Sequence, residues 1–188
     1  MKEITECIGD IGRANSTIFS TLDLTSGFWQ MQLNEKSQPL TAFTIPGKGQ
    51  YSWITSPMGL LGCLASFQRL IEGVLRNISN VIVYIDDLLV HTTTHEEHLK
   101  VLEEVLKRLH SHNLKINLDK CFFGNKEVSY LGFTLTPAGI KPGKNKLKAI
   151  KNAKPPTEVK TIRSFVGLCN FFLGLTLKFL LSSQCCSN

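Results

Sequence analysis

The sequence predicts an α+β fold, with helices covering one face of an antiparallel sheet. Three observations predict it. Helical periodicity and hairpin signals alternate along the chain. Pro46-Gly47-Lys48-Gly49 supplies turn chemistry between two β-rich segments. Finally, Asp86 and Asp87 interrupt the apolar run Val81 to Val90, and a buried strand does not hold an ionised carboxylate without something to pair it.

Taken in order, residues 1–15 read as a helix, with Ile4, Ile8 and Ile11 at helical spacing. Phe19, Leu22 and Leu24 mark a strand, and Ser26-Gly27 a turn. Phe28, Met31 and Leu33 suggest a further extended segment. Thr41 to Ile45 and Tyr51 to Ile54 flank the Pro46–Gly49 hairpin turn. Gly47 and Gly49 around Lys48 superficially resemble a phosphate loop, but GxxxxGK[ST] is absent. Residues 58–78 predict a helix whose apolar face runs through Leu61, Leu64, Phe67, Leu70, Ile71 and Val74. Residues 81–85 and 88–92 form the acid-tipped hairpin. Thr94-His95-Glu96-Glu97 matches a capping box. It opens a helix with Leu99, Leu102, Val105, Leu106 and Leu109 inward, stopping near Asn113. A short strand follows over Leu114 to Leu118, then a hairpin over Phe122 to Ile140 around Gly124-Asn125. Lys144 to Ala153 is a basic helical segment that Pro155-Pro156 breaks, and Thr157 can cap a last helix reaching Phe172.

The chain has 188 residues, 43% hydrophobic and 19% charged, which fits a globular domain and excludes a disordered one. A net charge of +6 favours a polyanionic partner, nucleic acid or an acidic membrane surface. Six cysteines show no CxxC spacing, so they read as free thiols in a reducing compartment. No signal peptide is visible. The apolar run Phe171 to Leu181 carries Lys178 and falls short of the about 20 residues a spanning helix needs, so no membrane partner is expected. The sequons at Asn15 and Asn77 lack a secretory context. Zinc is disfavoured, because His95 and His98 fall in the exposed first turn of a helix with no cysteine nearby.

Asp23 gives the acid pair its meaning. It stands in Thr21-Leu22-Asp23-Leu24, again among apolar strand residues. If its strand neighbours that of Asp86, the carboxylates of Asp23, Asp86 and Asp87 converge. Without a cation they would repel, and one or more would protonate. Mg²⁺ takes oxygen ligands and resolves that conflict. Two such ions could serve phosphoryl transfer, one lowering the pKa of an attacking hydroxyl and the other stabilising the departing oxyanion. Asp23 and Asp86 would be the principal ligands, with Asp87 in support. The competing reading is a plain turn, since Asp is common at hairpin tips for conformational reasons.

Four blocks go further: LDLTSGFWQMQL at 22–33, TAFTIPGKGQYSWITSPMGL at 41–60, ASFQRL at 65–70 and VIVYIDDLLVHT at 81–92. The segments at 98–123, 128–140 and 162–172 continue the pattern. Together they resemble the reverse transcriptase of gypsy-class LTR retrotransposon Pol polyproteins. The resemblance implies a polymerase palm-like antiparallel sheet, with partial fingers and the start of a thumb. It implies RNA-directed DNA polymerase activity, a nucleotidyl transfer from dNTP to a primer 3′-hydroxyl. Asp23, Asp86 and Asp87 match the catalytic, metal-binding triad, with Mg²⁺ as cofactor and Mn²⁺ as a substitute. Leu24, Thr25, Ser26, Gly27, Phe28 and Met58 would bind the nucleotide, Phe28 screening the sugar 2′ position. For Phe28 alone, core packing is the alternative. Pro57, Gly59, Gln68, Tyr84, Leu131, Gly132 and Phe133 would meet the template–primer, with Leu131-Gly132-Phe133 as a primer grip. Lys120 lies near the family's general-acid lysine, a weak match.

The implied organisation is a fingers remnant over 1–20, a palm with a partial fingers hairpin over 21–140, the start of a thumb over 141–172, and a divergent tail over 173–188. Template–primer and dNTP are the implied partners, along with further Pol domains. The implied location is intracellular: cytoplasm, virus-like particle or nucleus. The lysines from Lys141 to Lys154 read either as a backbone-binding patch or as a solvated helix face. Three departures point to a truncated chain with little or no activity alone. Upstream fingers residues are missing, Cys63-Leu64 replaces an Ala-Pro element, and the tail after Phe172 diverges. The alternative function is a non-catalytic nucleic-acid-binding relic or domesticated fragment.

Overall fold

A computed structural model describes residues 4–143, 148, 157–163 and 165–167. The chain divides into two compact units, residues 18–125 and residues 2–17 with 126–188. This division groups 126–140 with the N-terminal segment, whereas the sequence expectation placed them with the palm. Most of the expected thumb and all of the expected tail lie outside the described residues. So does the basic helix over 144–153, apart from residue 148.

The first unit is built on a four-stranded antiparallel sheet. Its strands are β1 (Ile18–Asp23), β4 (Val81–Tyr84), β5 (Asp87–Thr92) and β6 (Phe122–Asn125), in the order β4-β5-β1-β6. Leu22 pairs with Leu88 and Ser20 with Val90 across β1 and β5. Period-two alternation puts Leu22, Leu88 and Val90 on one face. Helices α2 (Cys63–Val74) and α3 (His95–Ser111) cover that face. Phe67, Ile71 and Val74 of α2 join Leu102, Val105 and Leu109 of α3 in one buried cluster with the strand residues. The hairpin β2 (Phe43–Ile45) and β3 (Gly49–Tyr51) forms a separate two-stranded sheet. In the second unit, β7 (Val128–Tyr130), β8 (Phe133–Thr136) and β9 (Gly139–Pro142) make an antiparallel meander, and α1 (Ile4–Arg13) packs beside β9.

Several expectations are corrected. The extended segment at Phe28–Leu33 begins instead as a 3₁₀ turn over Gly27–Gln30. Phe28 and Met31, three apart, both pack on the core, a spacing that a turn satisfies and a strand does not. The helix expected over 58–78 is confined to Cys63–Val74, because Gly59 (φ 94°) and Gly62 (φ 82°) take left-handed conformations that a helix cannot contain. The 114–118 strand reduces to one bridge, Leu24 to Ile116. The hairpin turn expected at Gly124-Asn125 lies at Leu131-Gly132, because β6 leaves its successor and pairs with β1.

The capping box is half formed. The Glu97 amide donates to Thr94 Oγ1 at 3.3 Å, but the Glu97 carboxylate instead accepts from Asn80 Nδ2 at 2.8 Å. Leu99 is exposed, and His98 takes the buried stripe with Leu102, Val105 and Leu109. His98 therefore does not sit in an exposed turn. The Gly124 amide donates to Ser20 Oγ, which leaves the Ser20 hydroxyl proton for His98 Nε2 at 2.6 Å. His98 Nδ1 meets Thr92 Oγ1 at 2.9 Å, and that hydroxyl donates to the Thr94 carbonyl. The direction that gives every donor an acceptor makes His98 neutral, with its proton on Nδ1. Burial lowers its pKa, His95 adds to this and Glu97 opposes it. No helix among the described residues is long and apolar enough to cross a membrane.

Candidate active site

Antiparallel pairing of β1 with β5 sets Asp23 directly across from Asp87. Tyr84 pairs with Asp87, so the β4–β5 loop holds only Ile85 and Asp86. Ile85 has φ 55°, and Asp86 is not among the residues of positive φ. That sign pattern belongs to a type II′ turn, whose first central position normally takes glycine. A β-branched residue there is a conformational outlier costing about 1–3 kcal/mol.

Gln68 explains how the turn is held. It is 2% exposed, on α2 beneath the hairpin. Its Oε1 accepts from the Ile85 amide at 2.7 Å, and its Nε2 donates to the Val83 carbonyl at 3.1 Å and to Glu72 at 2.7 Å. These bonds engage the hairpin backbone with both ends of the Gln68 amide, whereas the sequence expectation gave this residue to the template. The sequence expectation put the loop at Asp86-Asp87 with Ile85 in the strand; the Tyr84–Asp87 pairing moves it one residue back, so that Ile85 takes the strained position.

The loop after β1 closes over the turn. The Leu24 amide donates to the Asp86 carbonyl at 3.0 Å. Gly27 is buried so close that a Cβ there would stand 2.0 Å from Asp86 Oδ1 and 2.6 Å from the Phe67 ring. Phe28 meets Phe67 edge-to-face at 5.5 Å. Asp86 Oδ1 is buried with no hydrogen-bond partner. Loss of hydration pushes the Asp86 pKa up, Asp23 and then Asp87 add to it, and Lys120 opposes. Asp87 is also raised, by desolvation first and then by Asp23, again against Lys120. The Lys120 ammonium stands 3.7 Å from Asp23 Oδ1.

This donor set is all carboxylate, and burial and mutual repulsion outweigh Lys120 in raising Asp86 and Asp87. Both features fit a hard divalent cation. The acids are neighbours, yet no group of three or more His, Cys, Asp or Glu among the described residues is gathered as a metal cage. The Asp86 carboxylate lies against Gly27 and Phe67, while Asp23 and Asp87 face each other across strands.

The chain matches the family model for reverse transcriptase (RNA-dependent DNA polymerase) over residues 6–135. It belongs to that family. It is 40% identical over 169 residues to a Pol polyprotein from transposon 297 of Drosophila melanogaster, covering 89% of this chain and 16% of the relative. To that of transposon gypsy, also from Drosophila melanogaster, it is 34% identical over 174 residues, covering 92% and 16%. A foamy viral protease–reverse transcriptase solved with double-stranded DNA superposes with a TM-score of 0.78 at 36% identity, over 83% of this chain and 27% of that one. The same enzyme type with an RNA/DNA hybrid gives 0.74 at 35% identity, over 86% and 22%. The chain thus spans about a sixth of the length of these polyproteins, and its fold is that of the reverse transcriptase palm. Enzymes of this family generally use divalent metals.

Thr25 and Ser26 are exposed in the loop before Gly27, and Ser26 has φ 50°. Leu24 is buried in the core. Pro57, Met58 and Gly59 follow the β2–β3 hairpin, with Met58 exposed. Tyr84 closes β4 beside Asp87. Leu131, Gly132 and Phe133 form the β7–β8 turn in the second unit. Leu131 and Gly132 both have positive φ, and Phe133 is buried.

Proposed function

We propose that this chain is the palm of an RNA-directed DNA polymerase. The observation that carries the proposal is the cross-strand pair Asp23–Asp87 beside a strained turn that presents Asp86. Asp23, Asp86 and Asp87 would hold Mg²⁺, with Mn²⁺ as a substitute. Bound there, the metal would activate a primer 3′-hydroxyl and stabilise the charge on departing pyrophosphate. Gln68 fixes the turn, and Gly27 leaves room for the Asp86 carboxylate. Leu24 to Phe28 and Met58 would line the incoming dNTP, with Phe28 against its sugar. Pro57, Gly59 and Tyr84 of the first unit would meet a template–primer, and the Leu131–Phe133 turn of the second unit, taken by itself, would serve as a primer grip. The foamy viral neighbours, solved with double-stranded DNA and with RNA/DNA hybrid, support that class of partner, as does the net charge of +6. The remaining Pol domains would complete the enzyme, working in the cytoplasm, a virus-like particle or the nucleus.

A second reading, a binding-only relic, is favoured by one observation: the described acids are not gathered into a cage. Primer extension on an RNA template with Mg²⁺ and dNTPs separates the two, alongside binding of the same duplex. Weak incorporation that disappears in Asp86→Asn is expected. Salt-sensitive binding without any Asp86-dependent turnover would select the relic, and extension untouched by Asp86→Asn would overturn the polymerase reading.

A further inference from the structure

The carboxamide of Gln30 occupies a place that strand backbone would otherwise fill. Its Nε2 donates to the Thr25 carbonyl at 2.5 Å and to the Lys115 carbonyl at 3.0 Å. Its Oε1 accepts from the Lys115 amide at 2.6 Å. Exchanging both N–H and C=O bonds with one residue is what a hydrogen-bonded pair does in an antiparallel ladder.

The true ladder arrives at the same place. The Asn117 amide donates to the Asp23 carbonyl at 2.8 Å, Leu24 bridges Ile116, and the Thr25 amide donates to the Lys115 carbonyl at 3.0 Å. Beyond Thr25 the backbone cannot continue. Ser26 turns left-handed at φ 50°, and Gly27–Gln30 coils into the 3₁₀ turn. The Gln30 side chain folds back from the end of that turn and supplies the next rung.

We propose that Gln30 is a positioning residue that locks the Thr25–Phe28 loop to the 115–117 segment, and so sets where Gly27 and Phe28 stand beside Asp86. The margin is small, since Gly27 already lies in contact with Asp86 and Phe67. A loop free to drift would uncover the Asp86 carboxylate and shift the Phe28 ring off Phe67. The consequence for nucleotide handling rests on the polymerase reading. In that reading Gln30 governs how the incoming nucleotide is seated, without touching it.

The test compares Gln30→Met, which keeps the length and removes the bonds, with Gln32→Met as a control. Gln32 is exposed and makes none of these bonds. Amide hydrogen exchange on the whole chain reads the clamp directly. In Gln30→Met the Thr25 and Asn117 amides should exchange about tenfold faster, the equivalent of one net hydrogen bond. Leu88 to Val90 should keep wild-type protection. Unchanged exchange at Thr25 and Asn117, or equal loosening of β5, overturns the clamp. Where primer extension is measurable, Gln30→Met should raise the dNTP KM more than it lowers kcat and weaken discrimination against ribonucleotides. A lowered kcat at unchanged KM overturns the seating role. Faster exchange at Thr25 in a chain that incorporates no nucleotide in any variant leaves the clamp standing and counts against the polymerase reading alone.

Discussion

Two hairpins of the same unit solve opposite problems. β4–β5 carries the acids, and its second strand lies between β4 and β1 with Leu88, Leu89 and Val90 fully buried. β2–β3 pairs only with itself and leaves Phe43 and Tyr51 exposed. The buried hairpin turns through a strained Ile85, which Gln68 holds from below. The exposed one turns through Gly47 at φ 75° and Gly49 at φ 92°, where no strain arises. Strain persists only where the surroundings over-determine it. The acid end is therefore fixed by the core, and the β2–β3 end is free to adapt.

Matched glycine substitutions test that contrast, and the largest effect is expected at Gly27. A Cβ there meets the Asp86 carboxylate and the Phe67 ring inside contact distance, so something must move. Gly27→Ala should lose about 3 kcal/mol in urea unfolding, the upper range for overpacking. Gly47→Ala faces open space and pays only for its left-handed φ, about 1 kcal/mol. Equal losses at the two sites would show that the loop over Asp86 yields as readily as a surface turn.

Legibility in the sequence follows the same division. Strands β1, β4 and β5 and helix α3 were readable because their apolar periods are strong and local. Asp23, Asp86 and Asp87 stood out because charge inside an apolar run demands a partner, and the pairing of Asp23 with Asp87 is the part of that expectation the sheet register bears out. The 3₁₀ turn at Gly27–Gln30 was not readable, because its form depends on Phe67, Asp86 and Lys115, all remote in sequence. Leu61 suggested a longer helical face, but positive φ at Gly59 and Gly62 delays the helix start to Cys63 and leaves Leu61 exposed outside it. The burial of His98 is not legible because its partner Ser20, and the Gly124 amide that orients the Ser20 hydroxyl, meet it only in the folded sheet.

A smaller effect separates the hairpins by charge. The folded state raises the Asp86 and Asp87 pKa values above the ordinary 3.8, so it binds protons more tightly than the unfolded chain there. Stability from these groups therefore falls as pH rises from the ordinary carboxylate value through the raised ones. Without divalent cations, Asp86→Asn should melt above the wild type at neutral pH and show a flatter acid-side profile. Millimolar Mg²⁺ should raise the wild-type Tm and leave that of the variant nearly unchanged. A wild type that gains stability relative to Asp86→Asn across that interval would mean the acids are already compensated by Lys120.

The smallest expected effect lies in the exposed hairpin. Trp53 meets Trp29 at 5.2 Å and Phe43 at 5.8 Å, and Phe43 stacks on Tyr51 at 6.1 Å. These contacts link the hairpin to the 3₁₀ turn across a surface that water still reaches. Trp53→Ala should cost about 1 kcal/mol, the scale of one or two aromatic pairs. Its signature should be local: faster amide exchange over Phe43–Ile45 and Gly49–Tyr51, with β5 protection intact. The Trp53 amide bond to Thr41 Oγ1, at 2.9 Å, survives the substitution and should keep the strand entry in place. Loss of protection in β5 to the same degree would show one cooperative unit, with the acid end depending on the aromatic cluster as much as on Gln68.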